Sequence, residues 1–332
     1  MMNGYGIKEN GEFYPVILQF GGHKLCGSGR FSNVYCGQMI APIQKEVAVK
    51  NVWSDTETRH LKTSEYAEIQ ILTKLFHPAI SNLLFFYSRS ANDKTIHCLV
   101  LDYLPNEMAK MRDQGVKFDV LDAKMYTFQL FSAIAHLASK NIVHMDIKPQ
   151  NVIMNRSTGH LKLADFGNAR RLETNEKTGG AYQVQFEKRV KMITLIIGVF
   201  GYPTDEDIKS MGVKRPRVAR KEARGIETYT SKMLDPEIYD FLKSTLKIDP
   251  KKRKPAIEVL KLPLFDVIRA IPRKKRSNGM EIPNLLNYTE MYHKRESEVE
   301  VAPVDIETTE KAEKESKSSS SHSDEEDKGK EK

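Results

Sequence analysis

The stretch from His144 to Gly167 constrains this chain more than any other. It reads His144-Met145-Asp146-Ile147-Lys148-Pro149-Gln150-Asn151 and then Asp165-Phe166-Gly167, so two carboxylates, an amide and a lysine fall close together. The pattern differs on the two sides of residue 103. Before it, Val16-Ile17-Leu18, Asn33-Val34-Tyr35, Val47-Ala48-Val49 and Cys98-Leu99-Val100-Leu101 read as short strands. One helix interrupts them, Ser64 to Phe76, with Ile69, Leu72, Leu75 and Phe76 on one face. It stops before His77-Pro78. After residue 103 the period is helical. Ala123 to Ser139 is amphipathic through Tyr126, Leu130, Ile134 and Leu137, and Val190–Val199, Glu237–Leu246 and Pro255–Leu260 follow. A small β-rich lobe followed by a helical lobe is an α+β, bilobal plan.

Composition adds limits. An apolar fraction of 40% suits a globular core. The tail from about Glu296 is dense in Glu, Lys and Ser and cannot bury enough apolar surface to offset its ordering entropy, so disorder is expected there. Cys26, Cys36 and Cys98 lack metal-ligand spacing and read as reduced thiols of a cytoplasmic or nuclear protein. No signal peptide or myristoylation glycine is expected at the start, and the longest apolar run, Ile193 to Phe200, is too short to span a membrane. The net charge of +8 is concentrated at Lys214–Arg224, Lys251–Lys254 and Arg273–Arg276. Without interleaved aromatics these clusters read as solvated surface rather than a dedicated nucleic-acid site.

The 144–167 stretch resembles the catalytic loop and metal-binding triplet of protein kinases, and two further motifs carry the same resemblance. Gly27-Ser28-Gly29-Arg30-Phe31-Ser32-Asn33-Val34 lies between two expected strands, as a phosphate-covering glycine turn does, although Ser32 stands at the usual third glycine. Val47-Ala48-Val49-Lys50 ends an apolar strand on a lysine. The resemblance implies ATP and Mg²⁺ as cofactors and phosphoryl transfer to protein substrates. It implies that Lys50 holds the α- and β-phosphates and pairs with Glu68. Asp146 accepts the substrate hydroxyl proton, Lys148 neutralises the transferring group, and Asn151 and Asp165 hold the metal.

Other stretches narrow the match. Leu99-Val100-Leu101-Asp102-Tyr103-Leu104-Pro105, Glu68–Leu72, Phe85-Phe86-Tyr87-Ser88, Phe200–Asp205 and Asn284–Thr289 resemble the glycogen synthase kinase-3 family, a set of serine/threonine kinases. The resemblance runs from about Tyr14 to Thr289. It implies that Leu101 is the gatekeeper beside the adenine, that Asp102 and Leu104 offer it backbone hydrogen bonds, and that Gly27, Ser28, Gly29, Val34 and Ala48 also line the nucleotide. It further implies a scaffold-peptide partner near Gly225–Leu246. The family reads a priming phosphate with three basic side chains, but here those positions hold Ala67, Met145 and Arg170. Residues 1–13 contain neither Arg nor Ser, so the family's inhibitory pseudosubstrate segment does not carry over.

The interval from Asp165 to Gly201 is 36 residues, about half of what the family uses for its activation loop, substrate loop and central helix. Tyr182 is the expected activation-loop tyrosine. No Ala-Pro-Glu follows it, and the chain's only tryptophan is Trp53. A deletion between about residues 182 and 190 is therefore expected. It would remove burial partners from Ile142, Val143 and the 123–139 helix, and would leave Arg253 without the glutamate it matches. The expected organisation is an extension at 1–13, an N-lobe at 14–103, an incomplete C-lobe at 104–295 and a disordered tail at 296–332. Three readings follow: an active serine/threonine kinase, a nucleotide-binding pseudokinase or partner-binding isoform, and a poorly folded product.

Overall fold

The N-terminal apolar runs close into an antiparallel barrel. Its order is β1 (Met2–Ile7), β2 (Phe13–Ser28), β3 (Ser32–Ala41), β4 (Lys45–Trp53), β6 (Lys94–Asp102) and β5 (Leu83–Ala91). The computed structural model describes residues 1–8, 10–29, 31–53, 65–91, 94–172, 194, 196–219, 222–228 and 235–285. Residues 1–13, expected as an extension, supply β1. It pairs with β2 from Met2↔Leu18 to Ile7↔Phe13, and with β5 at Tyr5↔Phe86. Closure pairs the barrel's two terminal strands with each other, at Tyr5↔Phe86 and Gly6↔Phe85. It also brings strands so close that a Cβ at Gly4 would stand 2.6 Å from Leu18 Cδ1. Val16, Leu18, Met39, Val47, Val49 and Val100 fill one side of the barrel.

The other side packs on α1 (Ala67–Leu72), whose Glu68, Ile69 and Leu72 are buried. A continuous apolar core runs from Ile69 and Leu72 through Phe166 to Met125, Leu161 and Phe265, so both lobes share it. After α2 (Met108–Asp113) comes α3 (Val120–Ser139), the spine of the helical lobe. Asp119 caps it by accepting the Asp122 N–H at 2.7 Å. Phe128 meets Phe265 and Phe131 meets Phe241 edge-on, at centroid separations of 5.4 and 5.3 Å. Each such pair contributes about 0.5–1.5 kcal/mol beyond its burial.

The expected C-terminal helices appear as α5 (Pro236–Thr245) and α6 (Ala256–Val259), after α4 (Asp205–Met211) and before α7 (Asp266–Arg269). Sequence periodicity did not reveal α4. Its start is fixed by a reciprocal box between Thr204 and Asp207, and it stops at Gly212 with φ +64°. Of the helix expected over 190–199, residue 194 and residues 196–200 are helical, and the remainder lies outside the described residues.

Two expectations about charge and burial are refined. Arg276 is buried rather than solvated. Its Nε donates to Asp122 Oδ1 at 2.8 Å and its Nη1 to the Ser157 carbonyl at 3.2 Å. Lys252 pairs with Asp207 at 2.8 Å. Ile142 is buried, and Val143 beside it is exposed. Arg253 is exposed and donates its Nε to the Lys247 carbonyl.

Two histidines stack in the helical lobe, His77 and His136, at 5.0 Å between centroids. Burial holds His77 down to about 3 and His136 down to about 4. Both are therefore neutral in the fold, while the unfolded chain binds protons near pH 6.5. Stability present above that pH is lost progressively as pH falls toward these folded values. We expect the melting temperature to drop between pH 7 and pH 5, and His136→Gln to flatten the drop. Melting curves across that range check it; an unchanged slope in the variant contradicts it.

Candidate active site

Lys50 sits near the middle of β4, opposite Val34 on β3 and Leu99 on β6, so the barrel itself aims it. It is 7% exposed, and a lysine is buried to that degree only when paired. Its Nζ donates to both Glu68 oxygens at 2.8 Å and to Asp165 Oδ1 at 2.7 Å. Burial pulls the Lys50 ammonium down, but Glu68 and then Asp165 outweigh it and raise it overall. Glu68, on α1 and 2% exposed, also accepts the Phe166 backbone N–H at 3.1 Å. One carboxylate thus ties the barrel strand, the helix and the Asp-Phe-Gly segment together. Burial pushes the Asp165 carboxyl up, and Lys50 more than offsets that, so it lies below the ordinary value.

The 144–151 loop is shaped by backbone as much as by side chains. Met145 and Asp165 take φ of +66° and +63°, a left-handed region uncommon for non-glycine residues. Such conformations cluster where geometry is over-determined by function. His144 packs edge-on against Phe166 at 4.7 Å, its Nε2 lies 3.0 Å from the Ala164 carbonyl, and burial lowers its pKa. Its Nδ1 accepts the Asp146 N–H at 3.3 Å. Asp146 Oδ2 accepts from Lys148 Nζ at 2.6 Å and from Asn151 Nδ2 at 3.1 Å. Asn151, 6% exposed, also donates Nδ2 to the Asp146 carbonyl at 2.8 Å. Its amide nitrogen is thereby fixed toward Asp146, and its oxygen is available as a ligand.

A cleft of about 380 Å³ opens between the lobes. Of the expected nucleotide residues, Gly27, Ser28, Gly29, Val34, Ala48, Lys50, Leu101, Asp102, Leu104, Asn151 and Asp165 line it. Glu68 stands behind Lys50, while Asp146 and Lys148 join the site through Asn151. Tyr182 lies outside the described residues.

The sequence reading missed the way Asp102 anchors the hinge. Its Oδ1 pairs with Lys45 of the barrel at 3.0 Å and its Oδ2 with Lys162 of the helical lobe at 2.9 Å. Burial raises the Asp102 carboxyl, but Lys162 and Lys45 outweigh it and hold it down. Lys45 and Lys162 gave no sequence signal, because a lone lysine on a strand looks like surface. The cysteine reading is corrected. β2 carries a bulge between Leu25 and Gly27, which brings Cys26 and Cys36 to a Cα separation of 6.0 Å as a disulfide. Spacing in sequence could not show this, because the bulge sets the register. Only Cys98, buried in the barrel, is a free thiol.

A lysine–glutamate pair thus stands behind a cleft, a glycine turn lines its mouth, and Asp146, Asn151 and Asp165 gather beside it. The chain belongs to the protein kinase domain family, whose model matches residues 20–190, more than half of its 332 residues. It is 71% identical to gskl-1 of Caenorhabditis elegans, a protein named as a candidate serine/threonine-protein kinase, over 94% of this chain and 96% of that one. It is 26% identical to glycogen synthase kinase 1 of Pyricularia oryzae, over 82% of this chain and 80% of that one. It is 27% identical to the serine/threonine-protein kinase RIM11/MSD1 of Saccharomyces cerevisiae, over 77% and 79%.

Replacing Lys50 with Met leaves Glu68 buried without its cation, a change that costs about 3–5 kcal/mol. Replacing both members with apolar residues, Lys50→Met and Glu68→Leu, removes the uncompensated charge, so part of the loss returns. Urea unfolding of the two variants decides this, and a double variant less stable than the single one contradicts it.

Proposed function

We propose that this chain binds Mg-ATP in the interlobe cleft and transfers its γ-phosphoryl group to serine or threonine hydroxyls of protein substrates, as a kinase of the glycogen synthase kinase-3 type. The observation that carries the reading is the Lys50–Glu68–Asp165 contact set, held by three separate parts of the chain at 2.7–2.8 Å. In this reading Lys50 meets the α- and β-phosphates, and the Gly27–Gly29 turn lies over them. The barrel's Ala48 and Val34 face the adenine from one side. Asp102 and Leu104 meet its edge with backbone groups, and Leu101 stands behind it. The Asp102 carbonyl already accepts Ser81 Oγ at 3.1 Å, which leaves its second lone pair.

The residues present fit a magnesium ion. Magnesium is held by one or two side-chain oxygens plus substrate phosphates rather than by a full protein cage. Asn151 offers its amide oxygen, because its nitrogen is committed to Asp146. Asp165 takes both Lys50 and the Gly167 N–H on Oδ1, so Oδ2 serves as the ligand. Bound there, the ion supplies charge neutralisation and orientation of the phosphates. Asp146 orients the substrate hydroxyl and accepts its proton, and Lys148 offsets charge on the transferring group.

A second reading is a nucleotide-binding pseudokinase or partner-binding isoform, and one observation favours it. The gskl-1 alignment runs over 351 positions but takes in 94% of this chain, about 312 of its 332 residues, so about 39 positions have no counterpart in this chain. The short Asp165–Gly201 interval is where the motifs place such a gap. The loss would fall on the peptide-docking surface and spare the nucleotide cleft. Partners in either reading are proteins: substrates for the first, and a scaffold peptide on the helical lobe for both.

Transfer of the γ-phosphoryl group from labelled ATP to a basic or acidic serine peptide, compared with Asp146→Asn, separates the readings. The kinase reading expects incorporation that falls by two or more orders of magnitude in the variant, while nucleotide binding persists. Equal background in both proteins, with binding retained, favours the pseudokinase. Because Ala67 and Met145 carry no charge at the phosphate-reading positions, a priming phosphate on the peptide should add less than tenfold to its binding. A primed peptide bound ten times more tightly would contradict that.

A further inference from the structure

We propose that Cys26 and Cys36 form a reversible dithiol–disulfide couple at the root of the glycine turn, a modification site for peroxide-class oxidants that bound nucleotide shields. The two residues flank the hairpin that carries Gly27, Ser28 and Gly29, and both line the interlobe cleft. Their Cα separation of 6.0 Å falls in the range a disulfide needs without backbone movement. Cys26 occupies the bulge between the Leu25↔Tyr35 and Gly27↔Val34 pairs, while Cys36 sits in the ladder opposite Lys24 and Ala48. The bulge is what turns Cys26 toward its partner across the hairpin.

Reactivity and geometry point the same way. Both cysteines are only partly buried, so an oxidant in the cleft can reach their sulfurs. Cys98 is the internal contrast. It is fully buried in the barrel core, and burial pushes its thiol up. The three cysteines thus divide into an accessible, adjacent pair and a buried third.

The chemistry balances with a peroxide as oxidant. The Cys26 thiolate attacks one peroxide oxygen and the O–O bond breaks. This gives a sulfenic acid and a hydroxide, which takes a proton to become water. The Cys36 thiol then attacks the Cys26 sulfur, the S–S bond forms, the S–O bond breaks and a second water leaves. Two electrons pass from the sulfurs to the peroxide. A dithiol reductant reverses the outcome by two exchange steps. The disulfide pins β2 to β3 just where the glycine turn begins. The shielding by nucleotide rests on the reading of the cleft as an ATP site, whereas the couple itself rests on geometry alone.

The test uses the full chain, reduced with dithiothreitol and then freed of it. Hydrogen peroxide is added with and without saturating Mg-ATP, free thiols are alkylated, and peptides are mapped by mass spectrometry. Calorimetry on the reduced protein reports nucleotide binding separately. The expected result is a Cys26–Cys36 link, seen as the loss of two hydrogens and undone by dithiothreitol. Cys98 is alkylated only after unfolding, and the link forms severalfold more slowly under Mg-ATP. Cys26→Ser should leave Cys36 unlinked. Separate over-oxidation of the two sulfurs, or a link to Cys98, overturns the couple whatever the calorimetry shows. An unslowed link in a protein that binds Mg-ATP overturns the shielding. An unslowed link with no heat of binding leaves the couple standing and counts against the ATP site.

Discussion

The buried ion pair between Lys50 and Glu68 is the contact on which the site depends. Neither charge could stay in so dry a position alone, because an unpaired buried charge costs several kcal/mol. The pair therefore acts as a condition on the rest of the chain. β4 must run in register between β3 and β6 to deliver the lysine, α1 must dock on the barrel to deliver the glutamate, and Asp165 and Phe166 must reach both. Apolar burial around them is non-directional. The charges convert a compact arrangement into one with a single geometry.

A second ionic anchor performs a related task at the hinge. Asp102 holds Lys45 from one lobe and Lys162 from the other, so the cleft's back wall is a charge network rather than a flexible link. Between these anchors lies the cleft, and at its mouth the glycine turn. The Cys26–Cys36 bridge sits at the root of that turn. Fixed placement of Lys50, Asp146, Asn151 and Asp165 is what the proposed chemistry asks of a protein, because it needs placement and charge compensation more than covalent participation.

Much of the site was legible because it depends on residue type at fixed spacing. Asp146, Asn151, Asp165 and the Val-Ala-Val-Lys run are read directly, and the strands at 33–35, 47–49 and 98–101 lie inside β3, β4 and β6. What escaped was set by tertiary pairing. β1 and β5 alternate weakly, and their burial comes from closing the barrel. α4 is specified by its cap more than by an apolar stripe. The cysteine bridge depends on a bulge that adds one residue to β2. Arg276 looked like surface because its partner Asp122 lies 154 residues away in the chain.

The measurement that tests the account most directly is thermal unfolding of the purified chain with and without Mg-ATP, alongside Lys50→Met. Ligand that binds only the folded state raises its melting temperature by mass action. The account predicts one cooperative transition that rises with Mg-ATP in the natural sequence and stays in place with Mg-ATP in the variant. A broad transition indifferent to nucleotide would mean that the Lys50–Glu68–Asp165 geometry does not assemble a nucleotide site in this chain.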